Sequence, residues 1–273
     1  MSTSAPPDGC VTVHLKAMDA VVAVEVAGSG RAALAREIAR VWSRCLLDDA
    51  GATPPDATVR VVVDDDPRLV AQARADGAVA SGVLAEVMHG LSPVVTLAAI
   101  EHQAGRLMML HACGLADPAS GRTVALVAAS GTGKTTAARR VGTALGYVSD
   151  ETIAVRADGT VAPYPKPLSV VDAAGGWVKQ QVSLDELGLV AAPAECRLAG
   201  LAMLVRDGAE EAWLEPVSTV ESLAALAPQT SYLSRLPRPL HLLAGLVEGA
   251  GGLRLLHYRD SEQLPPLVAG MLA

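Results

Sequence analysis

Residues 125–142, ALVAASGTGKTTAARRVG, change from an apolar run to a glycine-rich segment and then to a helical pattern. The segment matches G-x-x-x-x-G-K-[S/T] over residues 128–135, with Ala128 in place of the first glycine. Gly131 and Gly133 let the backbone curl so that several N–H groups point at one anion, and a helix beginning near Lys134 adds its positive end. A strand-like run before the loop and a helical pattern after it, closing at Gly146, indicate a phosphate loop in an α/β fold.

Each side chain of this loop has a predicted role. Lys134 reaches the β and γ phosphates of a nucleotide, and the Thr135 hydroxyl binds Mg²⁺. The alternative is a glycine-rich turn that contains a lysine by chance. If the loop does hold a nucleotide, the expected cofactors are ATP and Mg²⁺. The residues expected to contact them are Ser130, Gly131, Thr132, Gly133, Lys134, Thr135 and Thr136.

The next strand carries the acidic residues. In GYVSDE, residues 146–151, Asp150 and Glu151 follow a short β run. In a parallel βαβ unit the end of that strand lies beside the phosphate loop, so Asp150 can bind Mg²⁺ or accept a hydroxyl proton. An ordinary turn acid is the alternative for Asp150. The sequence lacks the N-K-x-D element of guanine-specific switches, which disfavours a switch GTPase.

Four segments resemble the HPr kinase family in their sequence and order. They are LHACGLAD, VALVAASGTGKTTAARR, LGYVSDETIAV and VAPYPKPLSV. That resemblance implies a P-loop serine kinase core related to phosphoenolpyruvate carboxykinase. It places His111 near the active centre and gives Asp150 a proton-accepting or metal-binding role. Glu151 stands at the second acid of the family's pair, which implies a metal ligand.

Three further stretches bear on the resemblance. Glu195 and Arg197 in AECRLAGLA are similar to the charged members of the family's E-x-R-G signature. Lys166 in YPKPLS is a candidate contact for a phosphate or an acidic acceptor, with a plain surface lysine as the alternative. Four C-terminal basic residues are candidates that the sequence does not place: His241, His257, Arg235 and Arg238.

The pattern of apolar residues divides the chain near residue 100. Residues 1–100 are predicted to form a small α+β domain with an N-terminal hairpin around Met18 and Asp19 and a helix that buries Trp42. A second helix is predicted to begin at Ser92 as N-cap, with Pro93 at its first position, and to end at Gly105. Residues 101–273 are predicted to form the nucleotide-binding domain, in which Ser218 and Glu221 make a capping box.

Composition restricts the function classes. The chain is 51% hydrophobic and 19% charged, which indicates a folded protein, and its net charge of −7 argues against nucleic-acid binding. Its most apolar stretches contain proline or charged residues, and its N-terminus lacks the pattern of a signal peptide, so no membrane association and a cytoplasmic location are expected. The four scattered cysteines suggest neither zinc nor disulfides.

The expected activity is transfer of the γ-phosphoryl group of ATP to a hydroxyl, on a peptide or protein serine or on a small metabolite. Stand-alone relatives implied by the resemblance include accessory kinases for modified peptides. The alternative is a nucleotide-binding accessory or regulatory ATPase without a phosphorylated acceptor. The acceptor, and whether the chain forms a homo-oligomer, stay open at this point.

Overall fold

The computed structural model describes residues 9–47, 54–128, 133–170 and 180–273. The protein is mixed α/β and contains several sheets. It divides into two compact units, a first unit of Met1–His102 with Lys166–Leu184 and a second unit of Gln103–Pro165 with Asp185–Ala273. The division after His102 lies close to the boundary predicted near residue 100. No feature of the sequence indicated that residues 166–184 return to the first unit.

The described elements alternate strands and helices. The strands are β1 (Val11–Ala17), β2 (Ala20–Ala27), β3 (Ala57–Val63), β4 (Val79–Ser81), β5 (Met108–Leu110), β6 (Ala112–Ala116), β7 (Arg122–Val127), β8 (Gly146–Ser149), β9 (Ile153–Val155), β10 (Thr160–Ala162), β11 (Leu168–Val170), β12 (Gln180–Val182), β13 (Cys196–Arg206), β14 (Trp213–Pro216), β15 (Thr230–Ser231) and β16 (Leu253–Tyr258). The α-helices are α1 (Arg31–Val41), α2 (Pro67–Ala75), α3 (Leu84–Gln103), α4 (Lys134–Val141), α5 (Thr219–Leu226), α6 (Pro239–Gly249) and α7 (Leu264–Gly270).

The first unit begins with the predicted hairpin. β1 and β2 pair antiparallel with Ala17 opposite Ala20, and the two residues between them, Met18 and Asp19, both have positive φ, 51° and 65°. Two consecutive residues with positive φ form a type I′ turn, whose twist matches that of the flanking strands. The hairpin predicted around these residues is confirmed.

Strands β3 and β4 of the first unit are added to the hairpin through helical crossovers. The four-stranded sheet has the order β1-β2-β3-β4, in which β2, β3 and β4 are mutually parallel and are connected through α1 and α2. Strands β11 and β12 of the same unit pair antiparallel with each other in a separate sheet. Alternating strands and helices with parallel pairing give an α/β arrangement, whereas the sequence suggested α+β. The face of α1 that contacts the sheet includes Leu34 and Ile38, and Trp42 directly after it is fully buried, as predicted.

Helix α3 begins earlier than predicted. Pro93 lies inside this helix of 20 residues and Ser92 is an interior position, so the predicted N-cap at Ser92 was wrong. The apolar spacing of Val87, Leu91 and Val95, all buried, extends the packing face across the proline and outweighs the loss of one backbone hydrogen bond. By length and composition α3 is the one helix in the described ranges that could cross a membrane, but 39% of its apolar window is buried inside the protein. A core helix has the same composition, so this is weak evidence for a span.

The second unit is built on a mixed sheet of ten strands. Its main path is β15-β5-β9-β10-β13-β7-β6-β8, and β16 pairs with β13 and β14 beside that path. Strands β7, β13 and β16 are parallel, while β6 is antiparallel to both β7 and β8. The core between this sheet and its helices includes Leu110, Val127, Leu201 and Leu243, all fully buried. The sheet therefore aligns the ends of several strands at one edge.

Gly146 has a different role from the predicted one. Helix α4 ends at Val141 with Gly142 as its C-cap, and Gly146 is the first residue of β8. A Cβ atom at Gly146 would lie only 2.7 Å from Cα of Ala192, so the glycine allows two backbone segments to approach closely. Glycine at a helix end and glycine at a close approach cannot be distinguished from composition alone.

Candidate functional site

The candidate site lies at the edge of the second unit's sheet where β7 and β8 end. Ala112 pairs with Val127, the last residue of β7, and Gly114 pairs with Ser149, the last residue of β8. Because β6 is antiparallel to both neighbours, its first residue lies where they finish. The residue before β6, His111, and the residue after β8, Asp150, therefore meet the start of the glycine segment at one edge.

The strand arrangement agrees with the sequence in one respect and differs in another. The two apolar runs on either side of DPASG, residues 117–121, are typical of paired strands, and β6 and β7 do pair antiparallel. The sequence also suggested a parallel βαβ unit of β7, α4 and β8, and in the structure β6 lies between these two strands because it pairs with β8 as well. The two strands still run in the same direction, so Asp150 remains at the edge that the loop occupies.

The glycine segment is described at both of its ends. Ser130, Gly131 and Thr132 lie outside the described residues, whereas Ala128 and Gly133–Thr136 lie inside them. Gly133 is the N-cap of α4 and has a φ of +96°, a left-handed conformation that side chains disfavour. Lys134 is buried, Thr135 is half-buried and Thr136 is exposed. The first turn of α4 thus follows the glycine directly, as the sequence predicted.

Lys134 points back toward the end of β7. Its Nζ donates a hydrogen bond to the carbonyl oxygen of Ala128 at 2.6 Å, which connects both ends of the glycine segment. Burial lowers the pKa of Lys134, and the carboxylates of Asp150 and Glu151 oppose that shift. The ammonium group therefore lies among negative charges at the end of the strand, and an anion held by the loop would favour its charged form.

Asp150 is the centre of a small hydrogen-bond network. The Thr135 hydroxyl donates to Oδ2 of Asp150 at 2.8 Å, and the Tyr147 hydroxyl donates to Oδ1 at 2.9 Å. Asp150 is 5% exposed and Tyr147 is fully buried in β8. Sequence reasoning did not identify Tyr147, although its position three residues before Asp150 in the same predicted strand was the available signal.

The pair of Thr135 and Asp150 fits a magnesium ion. Adjacent ligands of an octahedral Mg²⁺ with bonds of about 2.0–2.1 Å are about 2.9 Å apart, close to the 2.8 Å between these two oxygens. Mg²⁺ is commonly held by one or two carboxylates together with substrate phosphates. The part of the chain that the structure describes contains no group of three or more His, Cys, Asp or Glu side chains arranged for a metal. A magnesium ion at this place would therefore need ligands beyond Thr135 and Asp150.

His111 and Glu151 complete the edge. Burial lowers the pKa of His111, the nearby Lys134 lowers it further, and Glu151 and Asp150 oppose both effects. Its ring also makes a hydrogen bond to the Glu151 backbone, while its own backbone N–H donates to Gln229 at 2.7 Å. A histidine with a lowered pKa is neutral at physiological pH, so it can accept a proton or donate one hydrogen bond. His111, Lys134, Thr135, Asp150 and Glu151 are thus neighbours, as the sequence suggested.

No family model and no curated protein sequence matches this chain. The resemblance to the HPr kinase family therefore depends on the quoted segments alone. What the structure adds is the geometry around Asp150.

Several candidates from the sequence lie elsewhere. Arg197 pairs in register with Arg122 at the beginning of β7, at the opposite end of the strand from the glycine segment. Its guanidinium donates to the carbonyl oxygen of Asp158 in the turn before β10. Glu195 precedes β13 at that same end, so the two charged residues of the supposed E-x-R-G signature do not reach Asp150.

The other basic candidates divide between the two units. Lys166 is 3% exposed and belongs to the first unit, which contradicts its interpretation as a surface lysine. Arg235 lies over the ring of Tyr232 at 4.5 Å, close to Arg238 in the chain, and His241 is exposed on α6. Among the described residues, Arg235, Arg238 and His241 make no hydrogen bond or ion pair with Lys134 or Asp150.

The end of β16 reaches the glycine segment. The Tyr258 hydroxyl lies 3.4 Å from where a Cβ atom of Gly133 would be placed. Its neighbour His257 contacts Asp207 at 2.7 Å and Glu215 at 3.1 Å, and stacks on Trp213. Tyr258 is a site neighbour that sequence reasoning missed, because only the parallel pairing of β16 with β13 and of β13 with β7 brings it there.

Proposed function

We propose that this protein is an ATP- and Mg²⁺-dependent kinase that transfers the γ-phosphoryl group to a hydroxyl of a peptide or protein serine or of a small metabolite. The observation that carries the proposal is the hydrogen bond of 2.8 Å between Thr135 and Asp150. It joins the first turn of the helix after the glycine segment to the acid after the next strand of the same direction. P-loop enzymes hold Mg²⁺ with this pair of residue types.

Each of the remaining site residues has a separate role in the proposed reaction. Lys134 and the N–H groups at the start of α4 would hold the nucleotide phosphates, and Thr135 with Asp150 would hold Mg²⁺, which would neutralise phosphate charge. Glu151 supplies a second carboxylate beside them. The ring of His111, kept neutral by burial and by Lys134, has one nitrogen that would accept a hydrogen bond or a proton from an acceptor hydroxyl.

We assign recognition of the acceptor to the first unit, following the resemblance to HPr kinases and to accessory kinases for modified peptides. We also propose that the protein is cytoplasmic and that the second unit is a kinase core of the HPr kinase type. The mixed α/β sheet and the edge shared by β6, β7 and β8 support it.

Two substitutions test the kinase directly. In an assay with labelled ATP and candidate acceptors, followed by mass spectrometry for added phosphate, Lys134→Ala and Asp150→Asn should each lower transfer at least about a hundredfold. ATP affinity should survive better in Asp150→Asn than in Lys134→Ala, because the lysine is expected to contact the phosphates. Matched controls are Lys16→Ala on β1 and Asp158→Asn in an exposed turn. Wild-type transfer by the Asp150→Asn protein would refute the assignment.

A second candidate is a nucleotide-binding accessory protein that phosphorylates no acceptor. It is favoured by the two hydrogen bonds that Asp150 accepts, from Thr135 and Tyr147, because a carboxylate with two internal donors also serves to hold a fold together. Both candidates predict thermal stabilisation by ATP with Mg²⁺. Only the kinase predicts that ADP formation increases when an acceptor is added, so ATP binding without turnover across a broad acceptor panel would favour the accessory protein.

A further inference from the structure

A cavity of about 330 Å³ lies in the second unit, away from the candidate site. It is lined by residues at the beginning of β13, by the turn between β9 and β10, and by one face of α6. Arg197, which lines it, is in register with the first residue of β7, whereas the glycine segment follows the last residue, Val127. About five residues of strand, or about 17 Å, separate the two places.

The cavity is positively charged. Arg106, Arg156 and Arg197 line it, together with His241, against a single carboxylate, Asp158. The chain as a whole has a net charge of −7, so this cluster runs against the overall charge. The Arg156 guanidinium donates to the hydroxyl of Thr160 at 3.0 Å, which fixes its head group in the cavity wall. A guanidinium is charged at every physiological pH, and its planar set of N–H donors suits a carboxylate or phosphate group.

The rest of the cavity lining is largely apolar. Met108 and Val155, paired across β5 and β9, line the cavity with Leu236, Leu242 and Leu246. Pockets for small ligands combine such apolar walls with a few polar groups that fix orientation, and this volume is at the lower end of about 300–1,000 Å³. A ligand that satisfies both walls needs an anionic head group and an apolar body of modest size.

Two glycines of α6 leave space open on its side of the cavity. Leu242, Gly245, Leu246 and Gly249 recur at helical spacing and face the cavity together. A Cβ atom at Gly245 or Gly249 would meet nothing within 4 Å. Glycine inside a helix costs about 0.5–1 kcal/mol relative to alanine, so Gly245 weakens α6 while leaving room for a ligand. A larger side chain at that position would occupy the cavity without a clash at its Cβ atom.

We propose that this cavity binds a compact amphipathic anion, with the anionic group against the arginines and the apolar body against the leucines of α6. The site is separate from the nucleotide site, and its test does not depend on kinase activity. It is also distinct in chemistry, because a nucleotide phosphate site requires backbone N–H groups around the anion rather than an apolar wall.

Calorimetric titration of the full chain tests the proposal with simple probes. Octanoate should bind at least ten times more tightly than octanol, which lacks the charge, and than acetate, which lacks the chain. Hexyl phosphate in a parallel titration shows which anionic group the arginines favour. Equal affinity for octanol and octanoate, or no binding of either octanoate or hexyl phosphate, would overturn the proposal.

Two variants connect binding to this cavity. Gly245→Leu fills the space and Arg106→Gln removes one positive charge, and each should weaken binding of the preferred anion at least tenfold. Arg36→Gln, an exposed position on α1, is the matched control and should bind like the wild type. Circular dichroism verifies that Gly245→Leu is folded, and Arg106→Gln gives an independent answer if it is not. Unchanged affinity in Arg106→Gln and in folded Gly245→Leu would place any bound anion elsewhere and refute the site.

Discussion

The Thr135 hydroxyl and the Asp150 carboxylate form a hydrogen bond of 2.8 Å across a sequence separation of 15 residues. This bond connects the first turn of α4 to the end of β8 in the second unit. Thr135 follows Lys134, whose Nζ donates a hydrogen bond to the carbonyl oxygen of Ala128. The start of α4, the end of β7 and the end of β8 are therefore connected through three side chains.

Replacing Thr135 should cost stability as well as function. Thr135→Val keeps the shape of the side chain but leaves Oδ2 of the buried Asp150 without this donor, so we expect a loss of about 1–3 kcal/mol in the free energy of unfolding. Urea unfolding without nucleotide measures it. Thr135→Ser keeps the hydroxyl and should stay within about 0.5 kcal/mol of the wild type. Equal stability of the valine and serine variants would show that the bond contributes little.

Gly114 in β6 is a position where any side chain is predicted to be harmful. A Cβ atom there would overlap Cδ1 of Ile153 and lie 3.3 Å from Cβ of Val148, both fully buried. Gly114→Ala should therefore lower the free energy of unfolding by about 1–3 kcal/mol through overpacking. Gly270→Ala at the end of α7, where a Cβ atom meets nothing within 4 Å, is the control and should change stability little. A neutral Gly114→Ala would mean that β6 can shift away from Ile153.

The capping box of α5 gives a local prediction. As the sequence suggested, the Ser218 hydroxyl accepts a hydrogen bond from the N–H of Glu221, and the Glu221 carboxylate accepts one from the N–H of Ser218. Ser218→Ala should cost about 1 kcal/mol in thermal or urea unfolding. Ser218→Gly should cost only a few tenths of that. A larger loss for glycine than for alanine would contradict the capping interpretation.

His257 gives a pH dependence with a defined sign. Its hydrogen bond to Asp207, with a second to Glu215, raises the pKa of His257 above about 6.5, and the same contact lowers the pKa of Asp207. The stabilisation from protonated His257 is complete below about pH 6.5 and is lost as pH rises through the raised pKa. The contribution of Asp207 is present above its ordinary pKa and is lost as pH falls through the lowered one.

Nuclear magnetic resonance of the His257 ring protons measures this shift. The titration midpoint should lie above about 6.5 in the wild type and should fall in Asp207→Asn, where the main cause of the shift is removed. Asp260→Asn, which removes a nearby carboxylate that pairs with Arg206 instead, serves as the control. A midpoint that does not change in Asp207→Asn would contradict the assigned cause.

Local chemistry made several elements predictable. The hairpin pattern indicated β1 and β2, short apolar runs indicated β7 and β8, and the acids after β8 marked a strand end. The start of α2 also depends on neighbouring residues, because the Asp66 side chain accepts a hydrogen bond from the N–H of Arg68 and Pro67 is the first helical residue. These features depend on residues close in sequence, which is why they could be derived without the fold.

Other features depended on competition between local signals and packing. Ser92 and Pro93 form a good helix start, yet buried residues on both sides of them continue α3 through the proline. Lys166 between two prolines is expected at the surface, yet it is buried in the first unit. In both places long-range packing outweighed a local preference. Residues close in sequence therefore could not predict the continuation of α3 or the burial of Lys166.

The sequence by itself determined the glycine segment, the lysine and threonine that follow it, and the acids after the next strand, because each is a short motif with its own backbone requirement. Only the tertiary structure decided that β6 separates β7 from β8, that Tyr147 and Thr135 both donate to Asp150, and that Tyr258 reaches Gly133. These contacts depend on which strands become neighbours, and strand order results from the packing of the whole core.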